Sequence, residues 1–94
     1  MSVIALKDNI NGMFEDQCVK IYNPSEQKLI AVYKNFSQAT NRLGVNLTIV
    51  QKACANKKRF FSPIFGIIVA ARLSSIKKGD EKLIEESMKY KKLN

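Results

Sequence analysis

Residues 36–59, FSQATNRLGVNLTIVQKACANKKR, constrain the fold more than any other stretch of the chain. Two short segments with helical spacing of apolar residues flank Gly44, and glycine favours the left-handed backbone that commonly ends a helix. Ser37 stands where the first helix needs an N-cap, and Asn46 stands where the second helix needs one. The stretch therefore predicts two consecutive helices joined by a tight turn, with a basic run directly after the second.

Strand patterns lie on either side of this helix pair. The segments CVKIY at 18–22 and KLIAVYK at 28–34 alternate in polarity, and NPSEQ between them supplies turn residues, so they predict a β-hairpin. Residues 64–73 leave two alternatives open, because Pro63 would suit the start of a helix. Their β-branched and aromatic side chains favour a strand from about residue 65, which we expect to pair with the hairpin.

The two ends of the chain have weaker patterns. Apolar residues within 3–14 are spaced as in a helix, and the segment from Asp80 begins with acidic residues and ends with lysines, as the helix dipole prefers. We therefore expect one α+β domain over residues 1–94. It has a small antiparallel sheet, made of a β-hairpin plus a third strand, packed with a helix-turn-helix and flanked by short helices. The core module spans about 18–73, the N-terminal helical arm 1–16 and the C-terminal helix 80–92.

The positive charge is concentrated in the middle of the chain. Residues 17–79 carry eleven Lys and Arg side chains against the single carboxylate of Glu26, whereas the two terminal segments are nearly neutral or slightly acidic. Such a segment suits a densely anionic partner, nucleic acid above all, although charge of this kind also keeps a basic protein soluble. Thirteen lysines against three arginines favour phosphate contacts over base reading.

Several classes of function lack the residues that they need. Cys18 and Cys54 are too few for a disulfide framework, and the chain has no histidine to complete a metal site. Glu26 alone cannot supply paired carboxylates for acid–base catalysis in the basic segment. The longest apolar run is far shorter than a membrane span. We therefore expect a non-enzymatic cytoplasmic protein with reduced thiols, no cofactor, no metal and no membrane span.

A set of short motifs follows the order of a known module. These motifs are Ile21-Tyr22, Phe36-Ser37, Leu43-Gly44-Val45, Asn56-Lys57 and a later aromatic strand containing Gly66. Over about 19–72 the chain resembles the NUMOD1-type DNA-binding helix-turn-helix module of intron-encoded homing endonucleases. The resemblance implies a stand-alone phage or mobile-element protein, working in the host cytoplasm if phage-encoded, without the nuclease domain. Thr40 departs from the family pattern, where alanine is usual, and so do Leu47 and Ile49, where polar residues are usual.

The second helix and the basic run after it supply the candidate DNA contacts. A glutamine can bond adenine through two hydrogen bonds, a threonine can touch a phosphate or a thymine methyl group, and lysine or arginine can hold phosphates. The residues predicted to bind duplex DNA are Arg42, Thr48, Gln51, Lys52, Lys57, Lys58 and Arg59.

A regulator that binds a host or phage protein is the alternative. The scaffold would then serve transcription takeover or lysis control, with an apolar contact surface that has basic side chains at its rim. The residues predicted for that surface are Leu47, Ile49, Phe60 and Phe61. Because one small module makes few base contacts, a homodimer is also compatible with the DNA-binding hypothesis.

Overall fold

A computed structural model of the protein describes residues 16–89. The elements are β1 Gln17–Asn23, β2 Lys28–Tyr33, α1 Phe36–Leu43, α2 Leu47–Asn56, β3 Arg59–Ser62, β4 Ile67–Ser75 and α3 Asp80–Ser87. The α+β class is therefore confirmed. The helix predicted over 3–14, and the part of the predicted C-terminal helix beyond residue 89, lie outside the described residues.

The sheet has four antiparallel strands in the order β2-β1-β4-β3. The predicted hairpin is present as β1 and β2, in which Val19 pairs with Tyr33. The predicted third strand is present as β4, which pairs with β1 and settles residues 67–75 as strand rather than helix.

The prediction of only three strands is wrong, because Arg59–Ser62 forms a further strand, β3. It makes a second hairpin with β4 around residues 63–66, where Gly66 has a φ of 75°. Residues 60–73 form one long apolar segment in the sequence. A turn within that segment, at the glycine, divides it into two short paired strands.

One face of the sheet carries the core. Side chains of β1 and β4 alternate, so that Val19, Ile21, Val69 and Ala71 point toward α1 and α2 and are almost fully buried. The full cluster comprises Val19, Ile21, Ala31, Tyr33, Phe36, Ala39, Leu43, Val50, Ala53, Val69 and Ala71. The two helices thus lie together on one side of the sheet.

The helix ends agree with the sequence prediction at two of three positions. Gly44 has a φ of 77° and ends α1, and the Asn46 side chain caps α2 by accepting from the Ile49 N–H. The N-cap of α1 is Asn35 rather than Ser37, because the Asn35 Oδ1 accepts a hydrogen bond from Gln38 N at 2.9 Å. Two consecutive helices joined by three residues are therefore present. That they act as a DNA-binding helix-turn-helix stays a prediction.

A buried serine holds the turn between the two helices against the β3–β4 hairpin. The Ser62 hydroxyl donates to the Leu43 carbonyl oxygen at 2.8 Å and accepts from Phe65 N at 3.2 Å. It therefore satisfies a carbonyl at the end of α1 that has no partner within the helix. The geometry fixes the start of α2 relative to the sheet.

The helix α3 begins at Asp80, where the C-terminal helix was predicted to begin, and lies along β2. Its N-cap is Gly79, and the carboxylate of Asp80 accepts from Lys77 N at 2.7 Å and pairs with Lys20 at 3.5 Å. Near the other end of α3, the Ser87 hydroxyl accepts from the N–H of Val32 at 2.9 Å. This bond occupies a backbone donor of an edge strand. Within residues 16–89, no helix is long and apolar enough to cross a membrane.

Candidate nucleic-acid interface

The outer face of α2 is small and polar. Val50 and Ala53 are buried against the core, whereas Thr48 and Lys52, four residues apart, are exposed on the opposite side. Both lie on the surface that was predicted to face DNA.

The flanks of α2 carry the other predicted residues of this helix. Gln51 is half-buried at one margin of the exposed face and already takes part in an interaction within the protein. Leu47 is half-buried and packs against the core, while Ile49 lies on the other flank with 38% of its surface exposed. Because Leu47 and Ile49 are two residues apart on a helix, they do not form one continuous apolar patch.

The chain turns sharply at the end of α2. Lys57 adopts the left-handed conformation with a φ of 57°, and this ends the helix and directs the chain into β3. Left-handed backbone is unfavourable for residues other than glycine and asparagine. Lys57, Lys58 and Arg59 are all exposed, so three cations lie at the α2–β3 junction. The predicted basic run is therefore accessible to an anionic partner.

The start of β3 divides that basic run between two surfaces. Phe60 packs against the core, so its neighbours Arg59 and Phe61 point to the face of the sheet turned away from α1 and α2. Phe61 is 53% exposed there, beside Ile68 of β4, which is 49% exposed. Lys57 and Lys58 continue the surface of α2, whereas Arg59 belongs to the sheet.

Arg72 lies on the same sheet face as Arg59 and was absent from the predicted site. With Tyr22, Arg59 and Ala70 it lines an open hollow of about 470 Å³ on the sheet, and its guanidinium donates to the Ala71 carbonyl oxygen at 2.8 Å. The alternation of side chains along β4 is the sequence feature that could have identified Arg72, since Ala70 and Arg72 lie on one face of the sheet and Ala71 lies on the other. That signal is readable only once the pairing of β4 with β1 is known.

The charge of Arg72 also reaches α2. Burial raises the pKa of the Cys54 thiol to about 11, and the Arg72 guanidinium opposes that rise. The pKa of Cys18 is raised too, chiefly by burial and then by the carboxylate of Asp80. Neither thiol has the lowered pKa of a nucleophilic cysteine.

The remaining predicted cation lies elsewhere in the helix pair. Arg42 occupies the last turn of α1, and its Nε is buried without a hydrogen-bond partner among the described residues.

Residues 27–79 contain no Asp or Glu, so nothing acidic in that stretch neutralises the basic surface. Among the described residues no group of three or more His, Cys, Asp or Glu could hold a metal ion.

No family model, no curated protein and no solved structure matches this chain. The resemblance to the NUMOD1-type module therefore stays a prediction.

Proposed function

We propose that this protein is a small, non-enzymatic DNA-binding or regulatory protein that holds duplex DNA through α2 and the α2–β3 junction. The observation that carries the proposal is the placement of Lys57 and Lys58 at the end of an exposed, polar helix face, with Arg59 next in the chain at the start of β3. Cations so placed can bind phosphates while the helix face reaches the bases. The phage or mobile-element origin implied by the resemblance, and action in the host cytoplasm, form part of the proposal.

In this arrangement α2 enters the major groove. Thr48 and Lys52 face the groove directly, and Gln51 at the margin of the exposed face reaches an adenine edge. Lys57 and Lys58 then neutralise phosphates beside the groove, which releases counterions and makes the affinity depend on salt. Phosphate contacts supply most of the affinity here, because the helix presents few long polar side chains.

The distribution of charge argues against a role in solubility alone. A protein charged only for solubility has no need to separate its charges, yet residues 27–79 lack any carboxylate while α3 carries acidic residues in its first turn. The three cations of the α2–β3 junction are also consecutive and exposed, so their like charges repel one another. An anionic partner would relieve this repulsion.

A pair of matched double variants tests the proposal. Lys57→Ala/Lys58→Ala and Lys77→Ala/Lys78→Ala each remove two exposed lysines and the same net charge. The second pair lies past the far end of β4, roughly 20 Å from the junction by the rise of the strand. Binding to a labelled 20-bp duplex is measured by fluorescence anisotropy from about 50 to about 200 mM salt.

The junction variant should lose affinity for every duplex, and its plot of log affinity against log salt should be shallower by about two units. The control variant should resemble the unmodified protein. Equal losses in the two variants would show that only net charge matters. The absence of duplex binding even at low salt would overturn the proposal.

Gln51→Ala separates base reading from phosphate binding. On a duplex selected from a random pool, the variant should lose about 1–3 kcal/mol of discrimination against random DNA, with its affinity for random DNA unchanged. Equal losses on selected and random duplexes would remove Gln51 from the base-reading set.

One observation favours the alternative of a regulator that binds another protein. Phe61 and Ile68 are cross-strand partners on the sheet, and both are about half exposed. Adjacent exposed apolar side chains of this size are typical of contact surfaces. Leu47 supports the alternative less, because it packs against the core. A protein that fails to bind any duplex at low salt would favour this second function.

A further inference from the structure

The sheet face turned away from α1 and α2 is covered at one end and open at the other. At the covered end Lys20 pairs with Asp80, and the side chains of both are only about a tenth exposed, at 12% and 9%. At the open end lie Arg59, Arg72 and the exposed ring of Phe61. We refer to this region, from Tyr22 across β4 to β3, as the open face.

The hollow in the open face is lined by one small side chain at its base and by larger side chains around it. Ala70 forms the floor, and it is the cross-strand partner of Tyr22 on one side and of Arg59 on the other. Because adjacent strands lie about 4.8 Å apart, the tyrosine and arginine stand about 10 Å from each other across the alanine. A planar ring needs about 3.5–4.0 Å of separation on each of its faces, so one ring fits between them.

The polar groups around the hollow suit a phosphate. Arg59 and Arg72 both line it, and a guanidinium binds a phosphate through two parallel hydrogen bonds. Tyr22 and Pro24 supply apolar surface beside these two cations. An aromatic ring next to guanidinium groups, with a floor small enough to admit a ring, favours a ligand that combines a flat base with a phosphate.

We propose that the open face binds single-stranded nucleic acid, with one base stacked on Tyr22 and the adjoining phosphates held by Arg59 and Arg72. Phe61 offers a second ring on which a neighbouring base stacks, since bases and aromatic side chains stack with little dependence on sequence. The charge is complementary, because two cations and no carboxylate line the hollow. This site goes beyond the proposed duplex contact and shares only Arg59 with it.

Binding to a labelled dT15 oligonucleotide by fluorescence anisotropy tests the site. Tyr22→Leu removes the ring and should weaken dT15 binding about tenfold, whereas Tyr22→Phe keeps the ring and should bind as the unmodified protein does. Arg72→Gln should weaken dT15 binding several-fold and make it less dependent on salt. Lys78→Ala removes one charge from an exposed residue outside the open face and should have little effect.

Tyrosine fluorescence gives a second readout, because the chain has no tryptophan and three tyrosines. Tyr33 is fully buried, so in a Tyr90→Phe background a base stacking on the protein should quench mainly Tyr22. The Tyr22→Phe variant should therefore keep its affinity for dT15 and lose most of the quenching. Thermal melts of each variant show whether it is folded, and the surface substitution Arg72→Gln tests the site if Tyr22→Leu proves unstable.

The results on dT15 and on the 20-bp duplex separate the two proposals. Binding of dT15 that depends on Tyr22 and Arg72, without duplex binding, would support the open face and overturn the proposed duplex contact. Duplex binding without dT15 binding would support the proposed duplex contact and overturn the open-face site. Folded Tyr22→Leu and Arg72→Gln variants that bind dT15 as tightly as the unmodified protein would overturn the open-face site, and so would dT15 binding weakened equally by Lys78→Ala.

Discussion

Replacing Gly44 with alanine probes the contact that places the helix pair on the sheet. At Gly44 the φ is +77°, and an added Cβ would lie 3.1 Å from Ile64 Cγ1 and 3.3 Å from Ile64 Cδ1. Gly66 offers a matched control, because its φ of +75° is almost the same and no atom would lie within 4 Å of its Cβ. The two substitutions share the backbone strain and differ in the steric contact.

The expected losses of unfolding free energy follow from the backbone strain and the steric contact. Left-handed backbone costs an alanine about 1–2 kcal/mol, and this cost applies to both Gly44→Ala and Gly66→Ala. Carbon atoms pack best at about 3.5–4.0 Å, so the Gly44 variant must also displace Ile64 by a few tenths of an ångström. Since Ile64 is only half-buried, we expect about 1 kcal/mol for that shift, the lower end of overpacking costs. Gly44→Ala should therefore lose about 2–3 kcal/mol in total.

Urea and thermal unfolding, monitored by circular dichroism, measure the difference in stability between Gly44→Ala and Gly66→Ala. Each kcal/mol corresponds to about 4–8 °C in Tm for a domain of this size. Adding Ile64→Ala to Gly44→Ala removes both crowded atoms, so the double variant should be more stable than the sum of the two single losses predicts, by about 0.5–1 kcal/mol. Equal losses at Gly44 and Gly66, or losses that simply add, would refute the reasoning that the Gly44 turn packs against residue 64.

Two further predictions concern a helix cap and a thiol. Asn35→Ala should lose about 1 kcal/mol of unfolding free energy, whereas Ser37→Ala, at the position that the sequence suggested, should lose almost nothing in the same denaturation assay. In a Cys18→Ser background, Cys54 should react with iodoacetamide at pH 8 on the order of 100-fold more slowly than in urea, because its pKa of about 11 leaves little thiolate. Because the unfolded thiol ionises first, near its ordinary pKa of 9.0, the stabilisation from Cys54 should be intact below about pH 9 and lost as the pH rises toward 11. Cys54→Ser should lessen that fall, and fast labelling of the folded protein at pH 8 would contradict the raised pKa.

The elements that the sequence predicted correctly are those with local signals. The hairpin of β1 and β2 follows from alternation interrupted by an Asn-Pro turn, and both strands form near the expected bounds. Gly44 and Asn46 end and begin helices through their own backbone and side chain, with little help from distant residues. Such features are readable from a single sequence because their causes lie within a few residues.

The features that escaped prediction depend on contacts between distant residues. Ser37 and Asn35 are both suitable caps, and the burial of Phe36 in the sheet core decides between them in favour of the earlier start. Asp80 resembles a cap residue in the sequence, yet its carboxylate binds Lys77 N and Lys20 across the fold. Local patterns allow both arrangements, and tertiary packing selects one.

The candidate site shows how adjacency in sequence can mislead about adjacency in space. Lys58 and Arg59 are neighbours in the chain, but β3 begins between them and turns Arg59 to the sheet face. Arg72, thirteen positions later, shares a hollow with Arg59 because β4 pairs with β3 in a register that places Ala70 opposite Arg59. A slip of one residue in that register would turn Arg72 toward α2 and remove the hollow. Charge alone therefore identified the basic segment, while strand pairing decides which anionic partner each cation can reach.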